Sequence, residues 1–277
     1  PGQVARALAR PRPDAQYLSR ADADLTDPAA CGRAIRRSNA EAVINAAAFT
    51  AVDKAETEKS TAFLVNAAAP AEMAQAAAEL GIPFVQISTD YVFDGHGKRP
   101  FAPEDPVAPL CIYGESKLEG ERGVRAAKGA HVIFRTSWVF SADSNNFVKS
   151  MLRLAATHDK LNIVADQSGG PTPAADIARS CLHIAKSLSA GTGPSGTYHF
   201  AGAPDVSWAE FASVIFAQAG LNVAVEPIAT EAYPTPARRP ANSRLDCTSL
   251  ERDFGLLRPD WRVGLHRVLS ELKEQRT

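Results

Sequence analysis

The feature that most constrains the fold is a regular alternation of short apolar runs with longer helical runs from about residue 30 onward. The apolar runs have the length of buried strands. Alternating strands and helices build βαβ units, which place parallel strands in one sheet with helices on both faces. We therefore predict an α/β fold with a Rossmann-type doubly wound parallel sheet. The predicted strands are Ala42–Ala48, Ile82–Ser88 and His131–Phe140, and the predicted helices are Phe63–Gly81 and Ile112–Ala127.

The chain alternates less regularly after about residue 144. Its proline-rich segment Pro227–Asp246 is predicted to be a long loop, and such loops in compact domains are usually functional or disordered. We expect residues 1–144 to form the Rossmann-type domain. Residues 145–277 should mainly form a smaller α/β substrate-binding lobe, with part of 166–190 packing back on the first domain. The predicted helices here are Phe147–Thr157, Ala174–Ser187 and Trp208–Gly220, and the predicted strands are Leu161–Val164, Thr197–Phe200 and Val223–Pro227.

Charge and cysteine content exclude several classes of partner. The 277 residues carry 30 basic and 31 acidic side chains, so the net charge of -1 offers no attraction to nucleic acid or to an anionic membrane. The four cysteines are far apart and form no CxxC pair, so neither a zinc site nor a disulfide framework is indicated. No apolar run approaches the length of a membrane span. We expect a cytoplasmic protein whose partner is a small molecule.

Polar residues follow the predicted strands at the edge of the sheet where ligands bind. Thr89 and Asp90 come directly after one strand, and the next helix carries Tyr113 and Lys117 four positions apart, on one helix face. A neighbouring ammonium lowers the pKa of a tyrosine, so Tyr113 could donate its proton to a carbonyl oxygen that Thr89 holds. The hydride would come from a nicotinamide cofactor. The spacing alone is weak evidence, because such pairs also arise by chance.

Other residues at this edge have two interpretations each. The stretch that contains Ala46, Ala47 and Thr50 would let a cofactor lie against the backbone, although tight helix packing explains its alanines equally well. The hydroxyl of Thr89 could bind a substrate oxygen or cap the following turn. Trp138 could stack on a flat ring or fill space in the core.

Nine blocks in order along nearly the whole chain carry a family resemblance: GQVARALA, VINAAAFTAVDKAE, STDYVFDG, YGESKLEGE, FRTSWVF, NNFVKSMLRLA, DQSGGPT, TYHFAG and YPTPARRPANSRLD. The chain resembles the extended short-chain dehydrogenase/reductases, and within them the dTDP-4-dehydrorhamnose reductase family. The resemblance implies reduction of dTDP-4-dehydro-L-rhamnose to dTDP-L-rhamnose in dTDP-rhamnose biosynthesis. It implies that Tyr113 is the acid, that Lys117 modulates it and anchors the nicotinamide ribose, and that Thr89 is the third catalytic residue. The residues that it implies for the dTDP-sugar are Asp90, Trp138, Asn146, Arg239, Asn242 and Ser243.

The expected cofactor is NADPH, with NADH as the alternative. Gly2 and Gln3 match the end of the family's glycine-rich turn, and Asp24 and Leu25 match its adenine contact. Arg20 follows QYL, which we predict to be the second strand, and an arginine there suits the 2′-phosphate of NADPH. The remaining residues of the expected cofactor site are Ala46, Ala47, Thr50, Tyr113 and Lys117.

The chain departs from the family pattern in two places. The family has asparagine two residues before the catalytic tyrosine, where this chain has Cys111, so we expect an altered substrate contact there. The family opens with an apolar strand that runs into a GxxGQ turn, whereas the sequence here begins PGQVARALAR. A parallel sheet without its central strand would leave buried backbone groups unpaired, so we expect roughly ten further residues before Pro1.

Rival functions stay open at this point. A 4-epimerase of the same superfamily shares the tyrosine and lysine spacing, whereas a 4,6-dehydratase has an acidic residue where this chain has Tyr91. A non-catalytic regulatory subunit with the same fold would bind another enzyme, although Thr89, Tyr113 and Lys117 are all present. Some family members are metal-dependent dimers; the sequence assigns neither Mg²⁺ ligands nor a homodimer.

Overall fold

The computed structural model describes residues 2–275, which contain eleven short strands and eleven α-helices. The strands are β1 Val43–Asn45, β2 Phe84–Thr89, β3 His131–Thr136, β4 Val139–Phe140, β5 Lys160–Val164, β6 Ser168–Gly169, β7 Thr172–Pro173, β8 Gly196–Phe200, β9 Val206–Ser207, β10 Ala224–Ile228 and β11 Asn242–Ser243. The helices are α1 Gln3–Ala9, α2 Pro28–Arg36, α3 Val52–Ala55, α4 Lys59–Phe63, α5 Ala69–Glu79, α6 Ile112–Ala126, α7 Phe147–Leu154, α8 Ala174–Ser189, α9 Trp208–Ala219, α10 Thr248–Phe254 and α11 Trp261–Glu274.

A parallel sheet in the order β1, β2, β3, β8 lies between two layers of helices. Alternate residues of its strands enter two separate cores, because side chains of a strand point to opposite faces. Phe84 and Ile133 face α2 and α5, whereas Val85 and Val132 face α1 and α8. The predicted α/β class with a doubly wound parallel sheet is confirmed.

The N-terminal region contradicts one prediction. Residues 16–18 form no strand and pair with none within residues 2–275, and Tyr17 and Leu18 are 41% and 46% exposed. An extended segment becomes a strand only when a neighbour satisfies its backbone groups, so the predicted strand at QYL is wrong. The residues expected before Pro1 lie outside the described part of the chain.

The predicted strand His131–Phe140 is divided by Trp138. This residue has a φ of +49°, which an extended strand cannot accommodate. The central strand β3 therefore ends at Thr136, and β4 pairs with β7 in a separate two-stranded sheet. The turn directs the chain from the central sheet into the C-terminal half.

The C-terminal half has its own core beside the central sheet. Helices α7, α9 and α11 enclose it, with Phe140, Phe211 and Trp261 at its centre. By contrast, β8 joins the central sheet, and α8 packs beneath that sheet against α1. The predicted loop Pro227–Asp246 is mostly irregular but contains β11. No helix within residues 2–275 combines the length and apolarity needed to cross a membrane.

Candidate active site

The N-terminus of α6, the helix that carries Tyr113 and Lys117, is capped by a residue from a distant segment. The backbone N–H of Ile112 donates to Oε1 of Glu56 at 2.9 Å. A carboxylate at this position also faces the positive end of the helix dipole. Glu56, and not the N-cap residue Cys111, thus supplies the acceptor that fixes the start of the helix.

Two glycines let α6 approach other backbone segments closely. A Cβ at position 114 would collide with the carbonyl of Tyr91, and one at position 120 would collide with the carbonyl of Asn66. Gly114 and Gly120 in the block YGESKLEGE are therefore explained by packing. The close approach places Tyr113 at the carboxyl end of β2.

Asn66 ties the segment after β1 to this helix. It lies in a π-helical turn, Leu64–Ala68, and is 1% exposed. Its Oδ1 accepts from the N–H of Phe49 at 2.8 Å, and its Nδ2 donates to the Phe49 carbonyl at 3.1 Å and to Ser116 Oγ at 3.0 Å. Sequence reasoning missed this residue; the signal was one asparagine within an alanine-rich run.

The predicted catalytic residues meet at the carboxyl end of β2. The Tyr113 side chain is buried near the hydroxyl of Thr89. That hydroxyl donates to Oδ1 of Asp90 at 3.1 Å and accepts from the N–H of Tyr91 at 3.2 Å. The ring of Tyr91 stands edge-on to that of Tyr113, with centroids 5.4 Å apart. Lys117, 3% exposed, donates from Nζ to the Ile87 carbonyl at 2.6 Å.

The pKa of Tyr113 is shifted in the direction opposite to the one predicted from the sequence. Burial raises the pKa of Tyr113 well above its usual range; the nearby hydroxyl of Thr89 opposes this rise, and the charge of Asp90 adds to it. Burial lowers the pKa of Lys117 to about 8. The predicted lowering of the tyrosine pKa by Lys117 is wrong for this structure, since burial raises the pKa of Tyr113 and the Lys117 ammonium is bonded to the Ile87 carbonyl. A protonated phenol at neutral pH is what a proton donor requires.

Buried polar atoms without a hydrogen-bond partner among residues 2–275 also mark this region. They include Oδ2 of Asp90, Oγ1 of Thr136 and Nη1 of Arg239. Burial raises the pKa of Asp90 to about 6, although Ser243 and Thr89 lie beside it and oppose the rise. Leaving such an atom unpaired costs about 1–3 kcal/mol, so these atoms indicate where a ligand would bind.

The loop Pro227–Asp246 delivers Arg239 to the sheet edge. Its Nη2 donates to Oδ2 of Asp53 at 2.8 Å, and the N–H of Ala237 donates to Oδ1 of the same aspartate at 3.1 Å. The guanidinium is near enough to lower the pKa of Tyr91 against the larger effect of burial. Arg239 thus lies close to the catalytic residues although it is 126 positions beyond Tyr113 in the sequence.

Trp138 stacks on a second tryptophan. The rings of Trp138 and Trp208 have centroids 3.5 Å apart and planes 11° apart. Trp208 donates from Nε1 to Oε1 of Gln167 at 3.2 Å, and Phe147 covers part of it. Both indoles are half-buried, so Trp138 stands at the border of the C-terminal core. Sequence reasoning did not include Trp208.

Asn146 and Asn242 are placed by bonds within the protein. Asn146 caps α7, and its Nδ2 donates to Oε1 of Gln3 at 3.0 Å; Ser141 Oγ donates to the same oxygen at 2.8 Å. Asn242 donates from Nδ2 to the Arg99 carbonyl at 2.8 Å. The structure therefore brings Gln3 together with Asn146, two residues expected to contact different ligands.

Several of the other residues expected to bind the cofactor are exposed. Gly2 is exposed at the start of α1, and the backbone that follows β1 is accessible at Ala47 and Thr50, with Ala46 half-buried between them and the strand. Small residues of this kind fit a bound dinucleotide. Arg20 is 80% exposed and donates to Asp24 at 2.9 Å. Leu25 packs against the core.

A metal centre is a separate question. Within residues 2–275, no group of three or more His, Cys, Asp or Glu side chains is arranged to hold a metal ion. The structure therefore assigns no ligands to Mg²⁺.

The chain is similar to known proteins along nearly its whole length. The family described as RmlD substrate binding domain matches residues 1–274. The chain belongs to this family. A dTDP-4-dehydrorhamnose reductase of Sinorhizobium fredii is 46% identical over 280 residues, which cover 98% of this chain and 95% of the relative.

Two solved structures of RmlD-family reductases share the whole architecture. The dTDP-4-dehydrorhamnose reductase of Clostridium acetobutylicum is 38% identical, with a TM-score of 0.92 over 98% of this chain and 96% of that one. The reductase of Bacillus anthracis, solved in complex with NADP, is 34% identical, with a TM-score of 0.90 and the same coverage.

Proposed function

We propose that this chain reduces dTDP-4-dehydro-L-rhamnose to dTDP-L-rhamnose, with NADPH as the reductant, in dTDP-rhamnose biosynthesis. The observation that carries the proposal is the buried arrangement of Thr89, Tyr113 and Lys117 at the carboxyl edge of a parallel sheet. Relatives that bear the name of this reductase match nearly the whole chain, and one was solved with NADP.

The residues of the chain supply the proton for this reduction, whereas bound NADPH would supply the hydride. Tyr113 is protonated at neutral pH, so its phenol donates to the 4-keto oxygen of the sugar. The Thr89 hydroxyl lies beside the phenol and orients that oxygen. Lys117 is cationic below a pKa of about 8 and stabilises the phenolate that remains.

The residues proposed for the cofactor fit a phosphorylated dinucleotide. Gly2 and Gln3 lie at the N-terminus of α1, where backbone N–H groups attract phosphate. Arg20, turned to solvent, suits the 2′-phosphate, and Asp24 with Leu25 would contact adenine. The remaining cofactor residues are Ala46, Ala47, Thr50, Tyr113 and Lys117.

The residues proposed for the sugar nucleotide come mainly from the C-terminal half. The free Nη1 of Arg239 suits a diphosphate oxygen, because a guanidinium donates in a fixed fork. Trp138 would contact a ring of the substrate, and Asp90 with Ser243 a hydroxyl. Asn146 and Asn242 hold the surrounding loops and complete the set. We accordingly propose that residues 145–277 mainly serve the substrate, with the β8 and α8 region supporting the Rossmann-type domain.

The test is loss of NADPH absorbance in the presence of the keto-sugar nucleotide, generated in place from dTDP-glucose by the two preceding enzymes. Tyr113→Phe should lower kcat about 10³-fold, because general acid catalysis is lost. Tyr233→Phe, at an exposed tyrosine, is the control. Binding of NADPH without turnover by the wild-type chain would instead indicate a regulatory subunit, and interconversion of 4-epimers would indicate an epimerase.

A further inference from the structure

An ion pair is buried one helical turn beyond Lys117. Glu121 of α6 and Arg135 of β3 are 0% and 1% exposed. The guanidinium donates twice to the carboxylate, from Nε to Oε1 at 2.8 Å and from Nη2 to Oε2 at 2.7 Å. Desolvation opposes the burial of two charges, so such a pair is a costly way to stabilise a fold. Its position beside the catalytic lysine indicates a role in the site.

Neighbouring groups hold Glu121 in its ionised form. Ser88 donates from Oγ to Oε1 at 2.6 Å, and Arg125 donates from Nη2 to Oε2 at 2.9 Å. Burial alone would raise the pKa of Glu121, but the bonds and charge of Arg135, assisted by Ser88 and Arg125, lower it. The carboxylate therefore carries a fixed negative charge.

Arg135 directs its third nitrogen to neutral acceptors. Nη1 lies 3.2 Å from the Pro103 carbonyl and 3.4 Å from Nε2 of His199. Nδ1 of His199 lies 3.0 Å from the Phe101 carbonyl, which can only accept, so Nδ1 is the protonated nitrogen and Nε2 accepts from Arg135. Burial, followed by the charge of Arg135, lowers the pKa of His199 to about 3, so the imidazole stays neutral. This network adds no second negative charge near Glu121.

We propose that Glu121 is a positioning residue that keeps Lys117 protonated and seated on β2, an inference that rests on the proposed reductase function. The two residues stand at i and i+4, on one face of α6. They bond to consecutive residues of β2: Lys117 donates to the Ile87 carbonyl, and Glu121 accepts from the Ser88 hydroxyl. Arg135 holds Glu121 ionised, so that a carboxylate and not a neutral acid lies one helical turn from Lys117 on the same face of α6.

The surroundings of Lys117 leave Glu121 as the group that opposes its deprotonation. Burial lowers the pKa of Lys117, and Glu121 raises it. Loss of the Glu121 charge would let the ammonium lose its proton at a lower pH. The other titratable or charged groups of this network and of the adjoining end of β2 include Tyr113 and Arg125 on α6, Asp90 after β2, Arg135 on β3 and His199 on β8.

The experiment follows the protonation of Lys117 in two ways. One is the pH profile of kcat for reduction of the keto-sugar nucleotide; the other is side-chain NMR of the full chain with isotopically labelled lysine, assigned with Lys117→Met. Glu121→Gln keeps the shape and removes the charge. The double variant Glu121→Gln with Arg135→Met leaves no unpaired buried guanidinium. It replaces the single variant in both measurements if Glu121→Gln does not fold. Glu119→Gln is the matched control, an exposed carboxylate of the same helix that pairs with Arg122.

We expect the alkaline limb of kcat and the NMR titration of Lys117 to move down by about one pH unit in Glu121→Gln. The double variant should move by less, because the opposing charge is also lost, and Glu119→Gln should not move. A fall in kcat that is uniform with pH, with the Lys117 titration unmoved in a folded Glu121 variant, would overturn the proposal. The NMR titration requires no turnover, so failure of the wild-type chain to reduce the sugar nucleotide would count against the proposed function alone.

Discussion

The carboxyl edge of the central sheet and the loop Pro227–Asp246 contribute to one site in different ways. At the sheet edge, Tyr113 and Lys117 are buried on a regular helix, and Lys117 is hydrogen-bonded to the Ile87 carbonyl. In the loop, Arg239 is anchored to Asp53 through one nitrogen, while Nη1 has no partner among the residues described. The comparison teaches that proton transfer is built into rigid elements, whereas recognition uses loop groups with bonding capacity to spare.

Thr89→Val tests the proton-transfer side of this comparison and should have a large effect on kcat, second to that of Tyr113→Phe. The substitution removes the hydroxyl beside Tyr113 and keeps the shape of the side chain. We expect kcat to fall about 10²-fold with little change in KM, as when one donor to a developing oxyanion is lost. Steady-state kinetics with the keto-sugar nucleotide measure this. An increase in KM at constant kcat would assign Thr89 to binding alone.

Asp90→Asn tests how much the buried, ionised carboxylate of Asp90 lowers the free energy of unfolding. The pKa of Asp90 is raised from 3.8 to about 6, so the folded chain binds this proton more tightly than the unfolded chain does. The free energy of unfolding contributed by Asp90 should therefore fall as pH rises from about 4 to about 6, by about 3 kcal/mol. Denaturant titrations across this window should show the free energy of unfolding of the wild type falling by this amount relative to that of Asp90→Asn. Asp94→Asn is the control and should behave as the wild type does. If the free energy of unfolding changed equally with pH in the wild type and in Asp90→Asn, the prediction would be contradicted.

Arg239→Ala tests the role of the loop Pro227–Asp246 in binding the sugar nucleotide. Loss of a charged donor to the diphosphate should cost about 2 kcal/mol, which raises the KM for the sugar nucleotide about 30-fold and leaves kcat nearly constant. The exposed neighbour Arg238→Ala provides the control. If kcat fell and KM did not, the loop would belong to the chemistry, and the contrast with the sheet edge would fail.

Arg20→Ala should have the smallest effect. It tests whether an exposed arginine discriminates between NADPH and NADH. The guanidinium is 80% exposed, so its attraction to a 2′-phosphate is screened by solvent and is worth about 1 kcal/mol. We expect the KM for NADPH to rise about fivefold and that for NADH to stay constant. Arg33→Ala, another exposed arginine paired with an aspartate, controls for net charge. Equal changes for both cofactors would remove Arg20 from the discrimination.

Periodicity located the elements whose cores are simple. The predicted helix Ile112–Ala127 agrees with α6 to one residue, and Ile82–Ser88 lies within two residues of β2 at each end. Predicted strands were wrong where the backbone angle of one residue, or the absence of a pairing strand, determines the structure. The positive φ of Trp138 ends a strand that its apolar pattern would continue, and QYL has strand composition but no strand to pair with within residues 2–275.

Some features of the candidate site also follow from local sequence, whereas others depend on distant segments. The spacing of Tyr113 and Lys117 is a helical property, so their shared face could be read from the chain. The cap by Glu56 and the clamp by Asn66 depend on segments about 50 residues away, and no local pattern reports them. The pKa of Tyr113 was misjudged for a related reason, since spacing indicates a neighbouring charge but not the loss of solvent.

The sequence by itself determined the βαβ order, the shared helix face of Tyr113 and Lys117, and the family, because each depends on local periodicity or on the order of motifs. Tertiary structure alone decided which distant groups meet: Arg239 with Asp53, Trp138 with Trp208, and Glu121 with Arg135. It also decided the protonation states, because a pKa depends on burial and on partners from other elements, which contact the site only after the chain has folded.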